Sequence, residues 1–223
     1  MIVLDRVSKW FPTRLGRKYL FRDVSVVVPK GASVGLIGKN GAGKSTLMRM
    51  LGGIEPVSRG RIQIHGSISW PVGLTGGFQP SLSGRDNVRF VARVNGLPDK
   101  MLPELEQRII KFTELGRNFD LPVKTYSSGM RTRLGFGLSM AFDFDYYMMD
   151  EVTSVGDKSF RDKSALLFQK VTEESGMILV SHNEAKIRQH CETALVIANQ
   201  TITYFDDIEA AFLFYYQAEG LTA

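Results

Sequence analysis

Cysteine is nearly missing from this chain: Cys191 is the only one in 223 residues. A single thiol excludes an internal disulfide framework and fits a reducing compartment. Long apolar runs are missing as well. The longest, AAFLFYY at 210–216, falls far short of the roughly 20 apolar residues that cross a bilayer. The opening MIVLDRVSKW puts Asp5 and Arg6 too early for the apolar region of a signal peptide. The expectation is a soluble chain that reaches a membrane only through a partner. No repeat or low-complexity segment interrupts it. Lys and Arg exceed Asp and Glu by 28 to 23, a formal charge of +5, but the only short basic cluster is RLGRK at 14–18. No nucleic-acid motif accompanies it, so the excess reads as a solvated basic surface and no nucleic-acid partner is expected.

What is present is an ordinary globular composition, 43% hydrophobic and 23% charged, in a chain long enough to bury a core without staples. Short apolar runs alternate with helical stretches, which indicates an α/β fold. Strands are expected at 2–7, 24–28, 33–37, 61–64, 146–150, 177–181 and 194–198. Between about 82 and 143 the character becomes helical. PELEQRIIKFTELG (103–116) and MRTRLGFGLSMAF (130–142) read as helices, and Ser83 can cap another through NVRFVARVN. The expected organisation is one domain over 1–223 with a helical subdomain inserted at 82–143. A final helix should begin near Asp206 and Asp207, whose charges suit a helix N-terminus.

Gly38, Lys39, Asn40, Gly41, Ala42, Gly43, Lys44 and Ser45 fit the G-x-x-x-x-G-K-[ST] pattern, with Thr46 following. The apolar run SVGLI precedes them and the helical TLMRML follows, the strand-loop-helix setting that the motif requires. Its glycines let the backbone curl around phosphate with the N–H groups inward. Lys44 can neutralise β- and γ-phosphates, and the Ser45 hydroxyl can ligate Mg²⁺. A second element is the strand YYMMD, which ends in Asp150 and runs into Glu151. Asp150 suits the metal and Glu151 suits the polarisation of an attacking water. His182, after the strand MILVS, can hydrogen-bond a γ-phosphate. His65 and His190 carry no such expectation. YSSGMR at 126–131 adds a second small, polar turn leading into a helix, as if to face a second phosphate.

The order of these motifs resembles the nucleotide-binding subunit of ABC transporters, over nearly the whole chain. The resemblance implies a P-loop NTPase (RecA-like) core, an antiparallel β subdomain and an inserted helical subdomain. It also implies ATP and Mg²⁺ as ligands and a head-to-tail pair of subunits. Each signature turn then covers the nucleotide held by the other subunit, so that Ser127, Ser128, Gly129 and Met130 act in trans. The commonest signature in that family is Leu-Ser-Gly-Gly-Gln. Here Ser128 replaces a glycine and Met130 the glutamine. Asp157, in Ser154-Val155-Gly156-Asp157, takes the place of the family's aspartate at the subunit interface. Gln79 is the only glutamine near the expected glutamine loop, a candidate metal and coupling residue displaced by about five positions. For the aromatic that stacks on adenine, Phe11 and Tyr19 both remain open, with Phe11-Pro12 the better match.

YSSGMRTRLGFGLSMAFDFDYYMMDE, VGLIGKNGAGKST and GGFQPSLSGRDNV together resemble one branch, the ATPase subunits of bacterial capsular polysaccharide exporters, related to O-antigen and teichoic acid exporters. This resemblance implies an integral membrane permease as partner, a lipid-linked polysaccharide as cargo, and a location on the cytoplasmic face of the inner membrane. Some O-antigen exporters carry a C-terminal carbohydrate-binding domain, and a chain that stops at 223 favours the capsule type. Three other readings are an exporter of the same branch that carries O-antigen, teichoic acid or another glycolipid, a soluble ABC ATPase acting on nucleic acid or ribosomes, and a regulatory subunit that binds ATP without turnover.

Overall fold

The computed structural model describes residues 1–72, 77–150 and 157–221. The chain divides into two compact units, one of Met1–Pro71, Phe144–Glu151 and Thr172–Ala223, the other of Val72–Asp143 and Val152–Val171.

The first unit holds two sheets. Strands β1 (Ile2–Thr13), β2 (Gly16–Val28) and β4 (Arg59–Ile64) form an antiparallel sheet in the order β2-β1-β4. The apolar runs alone end β1 at residue 7 and start β2 at residue 24. The ladder instead continues through Trp10↔Tyr19 and Phe11↔Lys18 to Thr13↔Gly16. Pro12 is tolerated because β4 pairs with β1 only as far as Ser8↔Arg59, which leaves that end of β1 with no second neighbour.

The second sheet contains β3 (Ser33–Ile37), β5 (Ile68–Pro71), β6 (Tyr146–Asp150), β7 (Gly176–Val180), β8 (Thr193–Ala198) and β9 (Thr201–Phe205). Its order is β5-β6-β7-β3-β8-β9, parallel throughout except for the β8–β9 hairpin. The middle strands SVGLI, YYMMD, GMILV and TALVIA are almost continuously apolar, as strands covered on both faces must be. Leu36, Met148, Ile178 and Leu195 join Leu47 and Met48 of helix α1 (Lys44–Leu51) in one core with Leu4 and Phe21 of the antiparallel sheet. The Arg22 N–H donates to the Gln200 carbonyl at 2.9 Å, joining β2 to the turn between β8 and β9.

The second unit is helical. It contains α2 (Gly84–Val94), α3 (Leu102–Thr113) and α4 (Ser128–Ser139), with short 3-10 turns between α2 and α4. Ser83 caps α2 by accepting from the Asp86 N–H. Phe112, Phe136 and Phe160 form an aromatic cluster with centroids 5.4–6.3 Å apart. Helix α5 (Lys158–Glu174) contributes Phe160. The remaining helices belong to the first unit. They are α6 (Glu184–His190), capped by Asn183, and α7 (Ile208–Glu219), capped by Asp207 as its acidic start implied. No helix among the described residues is long and apolar enough to cross a membrane.

Candidate functional site

The parallel strand β3 ends at Ile37, and α1 begins seven residues on, at Lys44. The loop between them is forced into a tight path by its glycines. Gly43 has φ +111°, and a Cβ there would lie 2.7 Å from the Phe21 ring. Gly38 is pressed onto β8, where a Cβ would meet the Ile197 carbonyl oxygen at 2.9 Å. The Ala42 N–H donates to the Lys39 carbonyl at 3.1 Å and closes the turn. Gly43 is also the N-cap of α1 and offers no side-chain acceptor, so the first-turn N–H groups of the helix are left to an anion. Lys44 Nζ donates to the Gly38 carbonyl and, at 3.1 Å, to the Lys39 carbonyl. Burial lowers the pKa of this ammonium, and the Asp150 carboxylate works in the opposite direction.

This loop forms one wall of a cavity of about 390 Å³ within the first unit. Asn40, Gly41, Gly43, Lys44, Ser45 and Thr46 line it, together with Phe11, Asp150 and His182. The parallel sheet accounts for that convergence. The loop after β3, Asp150 ending β6 and His182 following β7 all lie at the carboxyl ends of adjacent parallel strands. Asp150 and His182 are exposed residues of its lining. Phe11 lies on the cavity wall, with Lys9 Nζ 4.9 Å from its ring centroid. Tyr19 is not among the lining residues. It packs against Trp10 at 5.3 Å and under the Arg22 guanidinium.

Four further residues that no sequence motif singles out line the cavity: Lys18, Leu20, Arg49 and Val180. Lys18 stands opposite Phe11 in the β1–β2 register. Only an extended hairpin puts it there, and the apolar runs mark shorter strands. Arg49 had a signal, since it follows Ser45 by one helical turn on α1.

The remaining candidates belong to the second unit or fall outside the described residues. Ser127 caps α4, its Oγ accepting from the Met130 N–H at 3.2 Å. The helix therefore starts at Ser128, two residues before the expected start, and Ser128, Gly129 and Met130 form its first turn. Tyr126, just before them, is buried, and its hydroxyl donates to the Asn118 carbonyl at 2.7 Å; burial pushes the phenol up to about 12. Gln79 is exposed, and Asn87 clamps its backbone. The Gln79 N–H donates to Asn87 Oδ1 at 2.8 Å, and its carbonyl accepts from Asn87 Nδ2 at 3.1 Å. Asp157 caps α5 by accepting from the Phe160 N–H at 3.0 Å. Glu151, Ser154, Val155 and Gly156 lie outside the described residues.

A glycine-built loop at a helix N-terminus with a partly desolvated lysine suits a polyphosphate, and an aromatic lining the same cavity suits a base. Comparison with known proteins agrees. Residues 21–154 match the family described as ABC transporter. The chain is 49% identical over 211 residues to the polysialic acid transport ATP-binding protein KpsT of Escherichia coli, covering 94% of each chain. It is 42% identical to the capsule polysaccharide export ATP-binding protein CtrD of Neisseria meningitidis, covering 96% of this chain and 98% of the other. Among solved structures, a dimeric ATP-binding cassette in a post-hydrolysis state with ADP and Pi superposes with TM-score 0.75 at 17% identity. That match covers 92% of this chain and 98% of the other, a likeness of fold. The chain belongs to the ABC transporter family and is one of its ATPase cassettes.

Proposed function

We propose that this chain is the ATP-hydrolysing subunit of an exporter that moves a lipid-linked capsular polysaccharide across the inner membrane. The observation that carries this reading is the likeness to KpsT along 94% of both chains, joined to a cavity built from the phosphate loop. Its partners are a second copy of the chain and an integral membrane permease.

In this reading the loop 38–45 and Lys44 hold the β- and γ-phosphates, and Phe11 stacks on the adenine. Among the described residues no cluster of three or more His, Cys, Asp or Glu could hold a metal by itself. A Mg²⁺ that shares the phosphate oxygens needs only one or two protein ligands, which Ser45 and Asp150 fit. Such an ion would neutralise charge that develops on the transferring phosphate. Glu151 orients and polarises the attacking water, and His182 donates to the γ-phosphate. Ser127, Ser128, Gly129 and Met130 face the nucleotide of the partner copy, with the first turn of α4 directed at it. Asp157 lies at the same subunit interface, and residues 79–87 meet the permease. ATP then favours the closed pair because part of its contacts exist only there, and hydrolysis reopens it.

The test is a pull-down from gently solubilised native membranes, using tagged Glu151→Gln chain with ATP and mass spectrometry of the partners. A small permease together with polysaccharide-synthesis or export proteins supports the reading. Ribosomal or purely soluble partners contradict it.

A further inference from the structure

Helix α7 contacts both the phosphate loop and the helix that follows His182. At its C-terminal end the Glu219 carboxylate accepts from Lys39 Nζ, in the phosphate loop, at 3.2 Å. The Glu219 side chain is 16% exposed and that of Lys39 65%, so the acid is the fixed partner and the lysine the held one. One turn earlier, the Tyr216 hydroxyl donates to Glu184, at the head of the helix that follows His182. Arg188 on that helix donates to Glu184 at 3.0 Å and to Glu209 of α7 at 2.8 Å, with its guanidinium 3.8 Å from the Phe212 centroid. Both helices sit close on β3 because Gly35 has no side chain. A Cβ there would meet Ile187 of α6 at 2.4 Å and Ile208 of α7 at 3.7 Å. Helix α7 is thus anchored on α6 and β3 and reaches the phosphate loop through one charge pair.

We propose that Glu219 is a positioning residue for the nucleotide. By holding the Lys39 side chain it fixes the first turn of the phosphate loop. The carbonyl of Lys39 in turn accepts both the Ala42 N–H and Lys44 Nζ, each at 3.1 Å. The residue that faces phosphate is therefore oriented from the far end of the last helix. This inference rests on the reading of 38–45 as the nucleotide phosphate site.

Two effects of Glu219 oppose each other. As an anchor it orders the loop and favours nucleotide; as an anion near the loop it repels phosphate. The anchor role predicts that Lys39→Met and Glu219→Gln change affinity in the same direction. The repulsion alone predicts opposite directions. The experiment is a titration of the full chain with a fluorescent ATP analogue, mant-ATP, for both single variants and the double variant. Melting curves of the nucleotide-free proteins accompany it. Each single variant is expected to raise Kd roughly two- to fivefold, the range an exposed ion pair supplies. The double variant should be no weaker than the weaker single, because both remove one contact, and the nucleotide-free melting temperature should fall by less than about 2 °C in each, no further in the double variant than in the singles. Glu219→Gln binding that equals or exceeds wild type, additive single effects, or a loss of affinity that tracks a fall in melting temperature would overturn the proposal. Lys44→Ala distinguishes the underlying reading: if it binds mant-ATP like wild type, the phosphate-loop assignment fails first and the role of Glu219 with it.

Discussion

Arg133 donates from Nη2 to the Asp157 carboxylate at 2.6 Å, which ties the helix that starts beside Ser127 to the N-cap of α5. The same Asp157 accepts from the Phe160 N–H at 3.0 Å. A residue whose sequence position points to a partner subunit is thus already engaged within its own chain, as a helix cap and as one half of an ion pair.

The cap should outweigh the ion pair. The Asp157 side chain is 63% exposed, so water screens its attraction to Arg133, whereas an N-cap contributes about 1 kcal/mol whether exposed or not. Asp157→Ala is expected to lower the melting temperature by about 2–4 °C. Asp157→Asn, which keeps a capping oxygen and removes the charge that pairs with Arg133, should cost less than half of that. Differential scanning fluorimetry of the two variants checks the order, and an equal or larger loss in Asp157→Asn would reverse it.

Cys191 gives a pH prediction with a clean stoichiometry, since it is the only cysteine. It is 3% exposed, and burial pushes its thiol up to about 12. At pH 8 it should react with a disulfide reagent more than about a hundredfold slower than a free thiol, because the thiolate is scarce and shielded. Full reaction should appear only on unfolding. The folded state keeps the proton that the unfolded state releases near the ordinary thiol value. This contribution to stability is therefore complete below about pH 8.5 and declines as pH rises toward 12. Rapid labelling of the native protein at pH 8 would contradict the burial.

Lys44 and Ser127 should separate binding from turnover. Lys44→Ala removes the charge nearest the loop carbonyls, and nucleotide affinity should fall at least about tenfold, as expected for a lost charge-assisted contact. Ser127→Arg should leave mant-ATP binding to the isolated chain within about twofold of wild type while blocking turnover. Steady-state ATPase of mixed wild-type and Ser127→Arg dimers reads out the signature in trans. Dimers in which neither site loses activity would exclude that arrangement.

Much of the fold was legible because the strands of the parallel sheet are uninterrupted apolar runs and the phosphate loop has an obligatory pattern. Two strands were not. Strand β5, ISWP, is a four-residue edge strand ending in proline, and such a segment carries little periodic signal. Strand β9, TITYF, follows Asn199 and Gln200, both at positive φ, a hairpin turn without the glycine that usually marks one. Asn199 alone was the available hint. Helix α4 began earlier than its apolar pattern because Ser127 supplies the cap, and a cap is read from serine followed by a helix rather than from hydrophobicity. At the cavity, motif residues on strand ends were visible in advance. Lys18 was not, since its place depends on which residue it faces across the long hairpin, and register is not written in the residue itself.

The most direct test of the central claim is surface polysaccharide in the native host after deletion of this chain, restored with wild type or with Glu151→Gln. The expected result is loss of surface polysaccharide and accumulation of lipid-linked polysaccharide inside the cell, both reversed by wild type and not by Glu151→Gln. Normal surface polysaccharide in the deletion strain, or full restoration by Glu151→Gln, would contradict it.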